Sequence, residues 1–167
     1  MKRLLLLRHA KSSWDDSNLA DFDRPLNPRG LATAPFMGEM IARRELRPDE
    51  IVSSPAKRAM QTALLVKESA GLDASLRFDE RIYEASPKSL LQISSELSDD
   101  VGSAMLVGHN PGFEGFIGFL TGKVEPMPTA ALAVIDLNIK SWGKIKAGSG
   151  TVNTVIRPKD VIKAESK

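Results

Sequence analysis

The chain holds two histidines in 167 residues, and each follows a short apolar run. His9 comes after Leu4 to Leu7 with Arg8 between, and His109 comes after Ala104 to Val107 with Gly108 between. If these runs are buried strands, both imidazoles lie just past strand carboxyl ends, the edge where helix-covered sheets keep their ligands. Arg58 falls in the first turn of an expected helix that also follows an apolar run. Two guanidiniums, two imidazoles and helix amino termini on one edge describe a phosphoryl pocket. A zinc site of two histidines and a carboxylate is the alternative. Arg8 opposes it, because a guanidinium beside a ligand repels a cation and favours an anion. Each residue taken alone also has an ordinary reading, as a loop histidine or a solvated helix arginine.

In such a pocket a neutral imidazole can attack phosphorus, since nearby arginines lower its pKa and keep its lone pair free. The arginines also stabilise the equatorial oxygens as charge shifts, and the second histidine can donate a hydrogen bond to them. A poor leaving group needs a general acid. Glu84, after a weak apolar run, is the candidate, and a plain surface carboxylate is its other reading. Asp21-Phe22-Asp23 resembles the paired aspartates of metal-dependent phosphatases, but polar residues precede it, so it reads as a loop. Gly148-Ser149-Gly150-Thr151 lacks the lysine and the spacing of a P-loop.

The elements that must position these residues are short strands and capped helices. Strands are expected over 3–7, 51–53, 76–78, 104–107, 131–137 and 152–156, with another near Trp142 to Ile145. Continuous apolar runs indicate strands covered on both faces. Asn27-Pro28, Ser54-Pro55, Ser86-Pro87 and Asn110-Pro111 are four helix starts, each pairing a capping side chain with a proline at the first helical position. Apolar stripes follow: Leu31, Ala34, Met37 and Ile41; Ala56, Ala59, Met60 and Ala63; Leu90, Ile93 and Leu97; Phe113, Phe116, Ile117 and Leu120, with Gly122 as a stop. Pro35 is expected to kink the first helix. Alternating strands and helices predict a three-layer α/β/α fold with a mixed, mostly parallel sheet. One domain is expected over 1–158, followed by a polar, frayed tail over 159–167.

Composition narrows the function classes. Hydrophobic residues make up 42% and charged residues 26%, ordinary globular values that exclude a disordered chain. The net charge of +2, without a basic run, asks for neither nucleic acid nor an anionic membrane. The absence of cysteine removes disulfides, thiolate metal sites and cysteine nucleophiles. The apolar run at the start is too short for a secretory signal, and no stretch reaches membrane-spanning length. A soluble, cytoplasmic protein is expected.

The segments LLLLRHA, SSPAKRAMQTA and LVGHNPG together resemble the histidine phosphatase superfamily, the phosphoglycerate-mutase-like group. Arg8-His9-Ala10 matches the family's Arg-His-Gly, with Ala10 in place of the glycine. Ser54-Pro55 through Arg58, Gln61 and Thr62 matches the element carrying its second arginine, and His109 matches its second histidine. RPLNPRG resembles the loop that opens the family's first helix. YEASP, GHNPG and the short length most resemble the SixA-type phosphohistidine phosphatases, and between Glu84 and His109 there is room for one helix and one strand but no lid. Lys11 stands where many members carry an acidic or amide residue, and Asp15 where mutase-like members carry asparagine.

The resemblance implies that His9 is the nucleophile, that Arg8, Arg58 and His109 bind the phosphoryl group, and that Glu84 is the acid. Lys11, Ser12 and Asn110 are candidate substrate-binding residues. The expected reaction needs no metal or cofactor. The implied substrate is phosphohistidine on a signalling protein, and phosphate or sulfate should also fit the pocket. A phosphatase of a small phosphoester and a phosphate-binding module without turnover are the alternatives.

Overall fold

The computed structural model describes residues 1–165. Its middle layer is one sheet of six strands: β1 (Lys2–Arg8), β2 (Glu50–Ser53), β3 (Ser75–Phe78), β4 (Ser103–Gly108), β5 (Leu132–Leu137) and β6 (Gly150–Ile156). The order across the sheet is β3-β2-β4-β1-β5-β6. β3, β2, β4 and β1 are parallel, while β5 is reversed and pairs antiparallel with β1 and β6. The helices are α1 (Pro28–Arg43), α2 (Lys57–Ala70), α3 (Pro87–Ser95), α4 (Gly112–Thr121) and α5 (Pro158–Glu165).

The unbroken apolar strands follow from two cores. Leu4 and Leu6 of β1 pack with Leu90 and Ile93 of α3, Phe113 and Phe116 of α4, and Trp142. Leu5 and Leu7 point the other way, into Ala34, Met37 and Ile41 of α1 and Ala59, Ala63 and Val66 of α2. Successive residues of a strand face opposite sides, so a strand covered twice must be apolar throughout. Each buried leucine contributes about 1.5–3 kcal/mol. The α/β/α layering and the mixed, mostly parallel sheet match the expectation.

Two of the four helix starts cap as expected. The Asn27 side chain accepts from the Gly30 amide at 2.9 Å, and that of Ser86 from the Ser89 amide at 3.2 Å. At Ser54-Pro55 the helix begins later, at Lys57, after Ala56. The Ser54 hydroxyl is engaged with the Ala56 amide and with His109 instead. At Asn110-Pro111 the peptide bond is cis and α4 begins at Gly112.

α1 continues through Pro35 as one helix of 16 residues. The missing proline N–H costs Leu31 its helical acceptor bond, and Leu31 is solvent-exposed, where water can replace the donor. Leu31 therefore lies off the buried stripe. The buried row is Gly30, Ala34, Met37 and Ile41, whose spacings of four, three and four suit a helix better.

The strand expected near Trp142 is a 3-10 turn over Trp142–Lys144. Asp99 holds the Ser141 hydroxyl and the Trp142 amide, and the buried indole donates to the Val101 carbonyl at 2.7 Å. Of the tail expected to fray over 159–167, the part up to Glu165 belongs to α5, with Val161 packed against the core beneath α1 and α2, and 166–167 lie outside the described residues. Among the described residues no helix is long and apolar enough to cross a membrane.

Gly30 presses the start of α1 onto the segment leaving β1. A Cβ there would sit 2.2 Å from the Lys11 carbonyl oxygen. Alanine gains about 1 kcal/mol of helix propensity over glycine, but overpacking against backbone costs typically about 1–3 kcal/mol. Gly30→Ala should therefore lower stability, by up to about 2 kcal/mol, in urea unfolding. A more stable variant would contradict the close packing.

Candidate active site

The parallel register of β1 and β4 sets the two histidines side by side. Arg8 is opposite Gly108, and the His9 amide donates to the Gly108 carbonyl at 3.0 Å. The imidazole centroids are 5.1 Å apart. The helix after β1 covers one face of the sheet and the helix after β4 covers the other, so the crevice between these strands is open at its carboxyl end.

His9 is buried, and its Nδ1 lies 2.7 Å from the Ala10 carbonyl oxygen. A carbonyl can only accept, so Nδ1 carries the hydrogen and Nε2 keeps its lone pair. Burial pulls the His9 pKa down to about 4; the bond to Ala10 opposes this, and Arg58, Arg8 and Arg24 add to it. His109 is pulled to about 3, first by burial and then by His9 and Arg58. Its Nε2 is 2.8 Å from the Ser54 Oγ. That oxygen already accepts from the Ala56 amide. A hydroxyl keeps a second lone pair as well as its hydrogen, so Ser54 meets Nε2 as donor or as acceptor according to the His109 tautomer.

The arginines approach from different elements. Arg8 ends β1 and donates through Nη1 to the Met127 carbonyl at 3.0 Å; burial lowers its pKa and Glu114 raises it. Arg58, in the first turn of α2, donates to the Asp21 carbonyl at 2.7 Å and to its carboxylate at 3.0 Å. Among the described residues, three buried side-chain atoms have no partner: Arg8 Nε, Arg58 Nε and His109 Nδ1. Arg8 Nε and Arg58 Nε are donors, and His109 Nδ1 is one in the tautomer whose Nε2 accepts from Ser54. An unmet buried donor costs about 1–3 kcal/mol, which favours an oxyanion as the ligand of this place.

The structure thus brings Arg8, His9, Arg58 and His109 together. Glu84 lines the adjoining cavity of about 370 Å3, beside Tyr83, and is exposed with a left-handed φ of 55°. Asn110 borders the same cavity, but its side chain donates to Glu114 and to the Met127 carbonyl. The Ser12 hydroxyl accepts from Arg24 at 2.9 Å. Lys11 lines a separate groove with Arg29, Thr33 and Lys159. Ala10 does not take a left-handed conformation, so glycine is not needed there. Its amide donates to Thr62 Oγ1, which in turn donates to the Arg58 carbonyl.

Sequence reasoning missed Asp21, which it assigned to a loop. The Asp21 carboxylate accepts from Arg58, from Arg24 through two nitrogens and from the Tyr83 hydroxyl at 2.6 Å. These donors lower its pKa to about 2, the Tyr83 bond leading, and Tyr83 is raised to about 12 in return. Tyr83 stands edge-on to His109, with centroids 5.5 Å apart. The cue was the acidic residue three places before Arg24, but nothing local shows that Arg58 and Tyr83 meet it.

The histidine shifts have a sign in stability. The unfolded chain takes up protons near pH 6.5, where the folded imidazoles stay neutral. Stability should fall as pH drops from about 6.5 toward 4 for His9 and toward 3 for His109. One pKa unit is worth 1.36 kcal/mol, so the pair together weighs on the order of several kcal/mol. Urea unfolding across this range should show the slope, and replacing both histidines with asparagine should flatten it. An equally steep slope in that variant would assign it to other groups.

The histidine phosphatase superfamily (branch 1) model matches residues 4–100, which carry Arg8, His9 and Arg58. An uncharacterised chloroplastic protein of Arabidopsis thaliana is 32% identical over 158 residues, 89% of this chain and 72% of that one. The crystal structure of a provisionally assigned phosphohistidine phosphatase, SixA, from Agrobacterium tumefaciens superposes with a TM-score of 0.82 at 30% identity, covering 94% of this chain and 98% of that one. A protein histidine phosphatase SixA complexed with tungstate shares the fold with a TM-score of 0.78 at 21% identity, over 95% and 99% of the two chains. On the matched motifs and the shared sheet, this chain belongs to the histidine phosphatase superfamily.

Proposed function

We propose that this protein is a metal-independent phosphatase that passes the phosphoryl group through His9, with phosphohistidine on a signalling protein as its substrate. The observation that carries the reading is the pair of buried, unpaired guanidinium donors, Arg8 Nε and Arg58 Nε, beside an imidazole held neutral with Nε2 free. The His9 Nε2 lone pair attacks phosphorus as the bond to the leaving nitrogen breaks, and the departing imidazole carries a proton on its ring. Arg8, Arg58 and His109 hold the three equatorial oxygens. Water then attacks phosphorus, the P–Nε2 bond breaks, and inorganic phosphate departs while the surplus proton passes to solvent.

Two observations support a protein substrate. Only α3 and β4 lie between Glu84 and His109, so no inserted lid closes the cavity. An open mouth suits a protein surface and excludes water poorly around a small ester. The SixA likeness points the same way.

His9→Ala should abolish turnover, and acid quench of the wild type with labelled substrate should trap an acid-labile, base-stable adduct. Arg58→Ala should cost about 2–4 kcal/mol of transition-state stabilisation, the range for losing one preorganised donor. Full activity in His9→Ala would end this reading. Loss of wild-type activity with a chelator, restored by zinc, would end the metal-independent part of it.

Glu84 is the proposed proton donor for poor leaving groups. An alkoxide needs a proton in the transition state, whereas the phosphohistidine ring can take its proton from solvent, at a free imidazole pKa of about 6.5, and leave as neutral imidazole. Glu84→Gln should therefore slow alkyl ester hydrolysis much more than phosphohistidine hydrolysis. Equal slowing of both would move Glu84 out of that role, and a wild type that prefers small esters by kcat/KM would favour the metabolite reading.

A further inference from the structure

The cavity beside His109 is lined by the charged residues Asp21, Glu84 and Arg58 and, among the described residues, by no lysine. Arg58 keeps its Nε buried and unpaired and spends its two other nitrogens on Asp21. Asp21 differs from a mobile surface carboxylate. Both its oxygens are held, Oδ2 by Tyr83 and Arg58 and Oδ1 by Arg24. Arg24 is itself buried, bonded to Ser12 and stacked 3.4 Å over the Trp14 ring. Tyr83, whose hydroxyl donates to Asp21, stands edge-on to His109. A bound phosphoryl group at His9 and His109 therefore has a fixed carboxylate next to the path of its leaving group.

We propose that Asp21 is a specificity-determining residue, one that sorts substrates by the charge of the leaving group. The proposal rests on the phosphatase reading above. A fixed negative charge in a partly enclosed site attracts a cation and repels an anion by more than it does in bulk water. Leaving groups that depart neutral or cationic, such as nitrogen bases and amine-bearing side chains, are favoured. Leaving groups that bear a carboxylate or a second phosphate are rejected, even though the phosphoryl end is built from cations. The pocket thus separates two demands: positive charge for the transferred group, negative charge for what it leaves behind.

Three aryl phosphates of similar shape test this, with the para substituent trimethylammoniomethyl, ethyl or carboxymethyl. The methylene keeps the phenol's acidity similar across the set. The readout is the ratio of kcat/KM for the cationic ester over the anionic one, which cancels any uniform loss from disturbing Arg58. The wild type should give a ratio on the order of tenfold, and Asp21→Asn should reduce it several-fold. Raising salt from 0.05 to about 0.5 M should also shrink the wild-type ratio, by screening, a test that needs no folded variant. A wild-type ratio near one, a ratio unchanged by Asp21→Asn, or a ratio insensitive to salt would overturn the proposal. A wild type inert toward all three esters and toward phosphohistidine fails the phosphatase reading itself, and this is seen before any variant is compared.

Discussion

The parallel register between β1 and β4, extended one step by the His9 amide bond to the Gly108 carbonyl, is the constraint on which the site depends. It sets two histidines, a hundred residues apart in the chain, with ring centroids 5.1 Å from each other. A slip of one residue would turn every side chain of a strand to the other face, and both cores forbid it. Leu4 and Leu6 belong under α3 and α4, Leu5 and Leu7 under α1 and α2. The hydrophobic core therefore positions the chemistry, and the histidines need no loop of their own to meet. The same sheet brings Ser54 to His109, because the Ser54 amide bonds the Val107 carbonyl and so continues the β2–β4 pairing.

Electrostatics then divide labour along that edge. Both imidazoles are kept neutral by burial among guanidiniums, while Arg8 and Arg58 each reserve one N–H. Holding two guanidiniums near each other without an anion is costly, and the protein offsets it from behind. Met127 supplies a carbonyl to Arg8, Glu114 a nearby charge, and Asp21 a carboxylate to Arg58 and Arg24. In Arg8 and Arg58 the acceptors meet the outer nitrogens and leave Nε unpaired, while Arg24 gives its Nε to Asp21.

The layers, the strands and the four central residues were legible in the sequence because each rests on a local pattern. Leu4–Leu7 and Ala104–Val107 are continuous apolar runs, and strand ends locate His9 and His109 directly. Asn27-Pro28 and Ser86-Pro87 signal caps through short-range bonds that the structure contains. What was hidden depends on partners far away in sequence. Ser54 reads as a cap until His109 takes its hydroxyl, 55 residues on. Asp21 reads as loop until Tyr83, 62 residues on, donates to it. Trp142 reads as part of a strand until Asp99 and Val101 capture its turn. The Gly30 contact was invisible for another reason: a residue without a side chain leaves no mark on a hydrophobic stripe.

The bond from His9 Nδ1 to its own neighbour's carbonyl has a consequence for chemical identity. With Nδ1 committed to Ala10, only Nε2 is open to phosphorus, so any phosphoryl group that His9 carries forms the 3-phospho isomer and not the 1-phospho isomer. A backbone carbonyl one residue away thus fixes which imidazole nitrogen is left free to react.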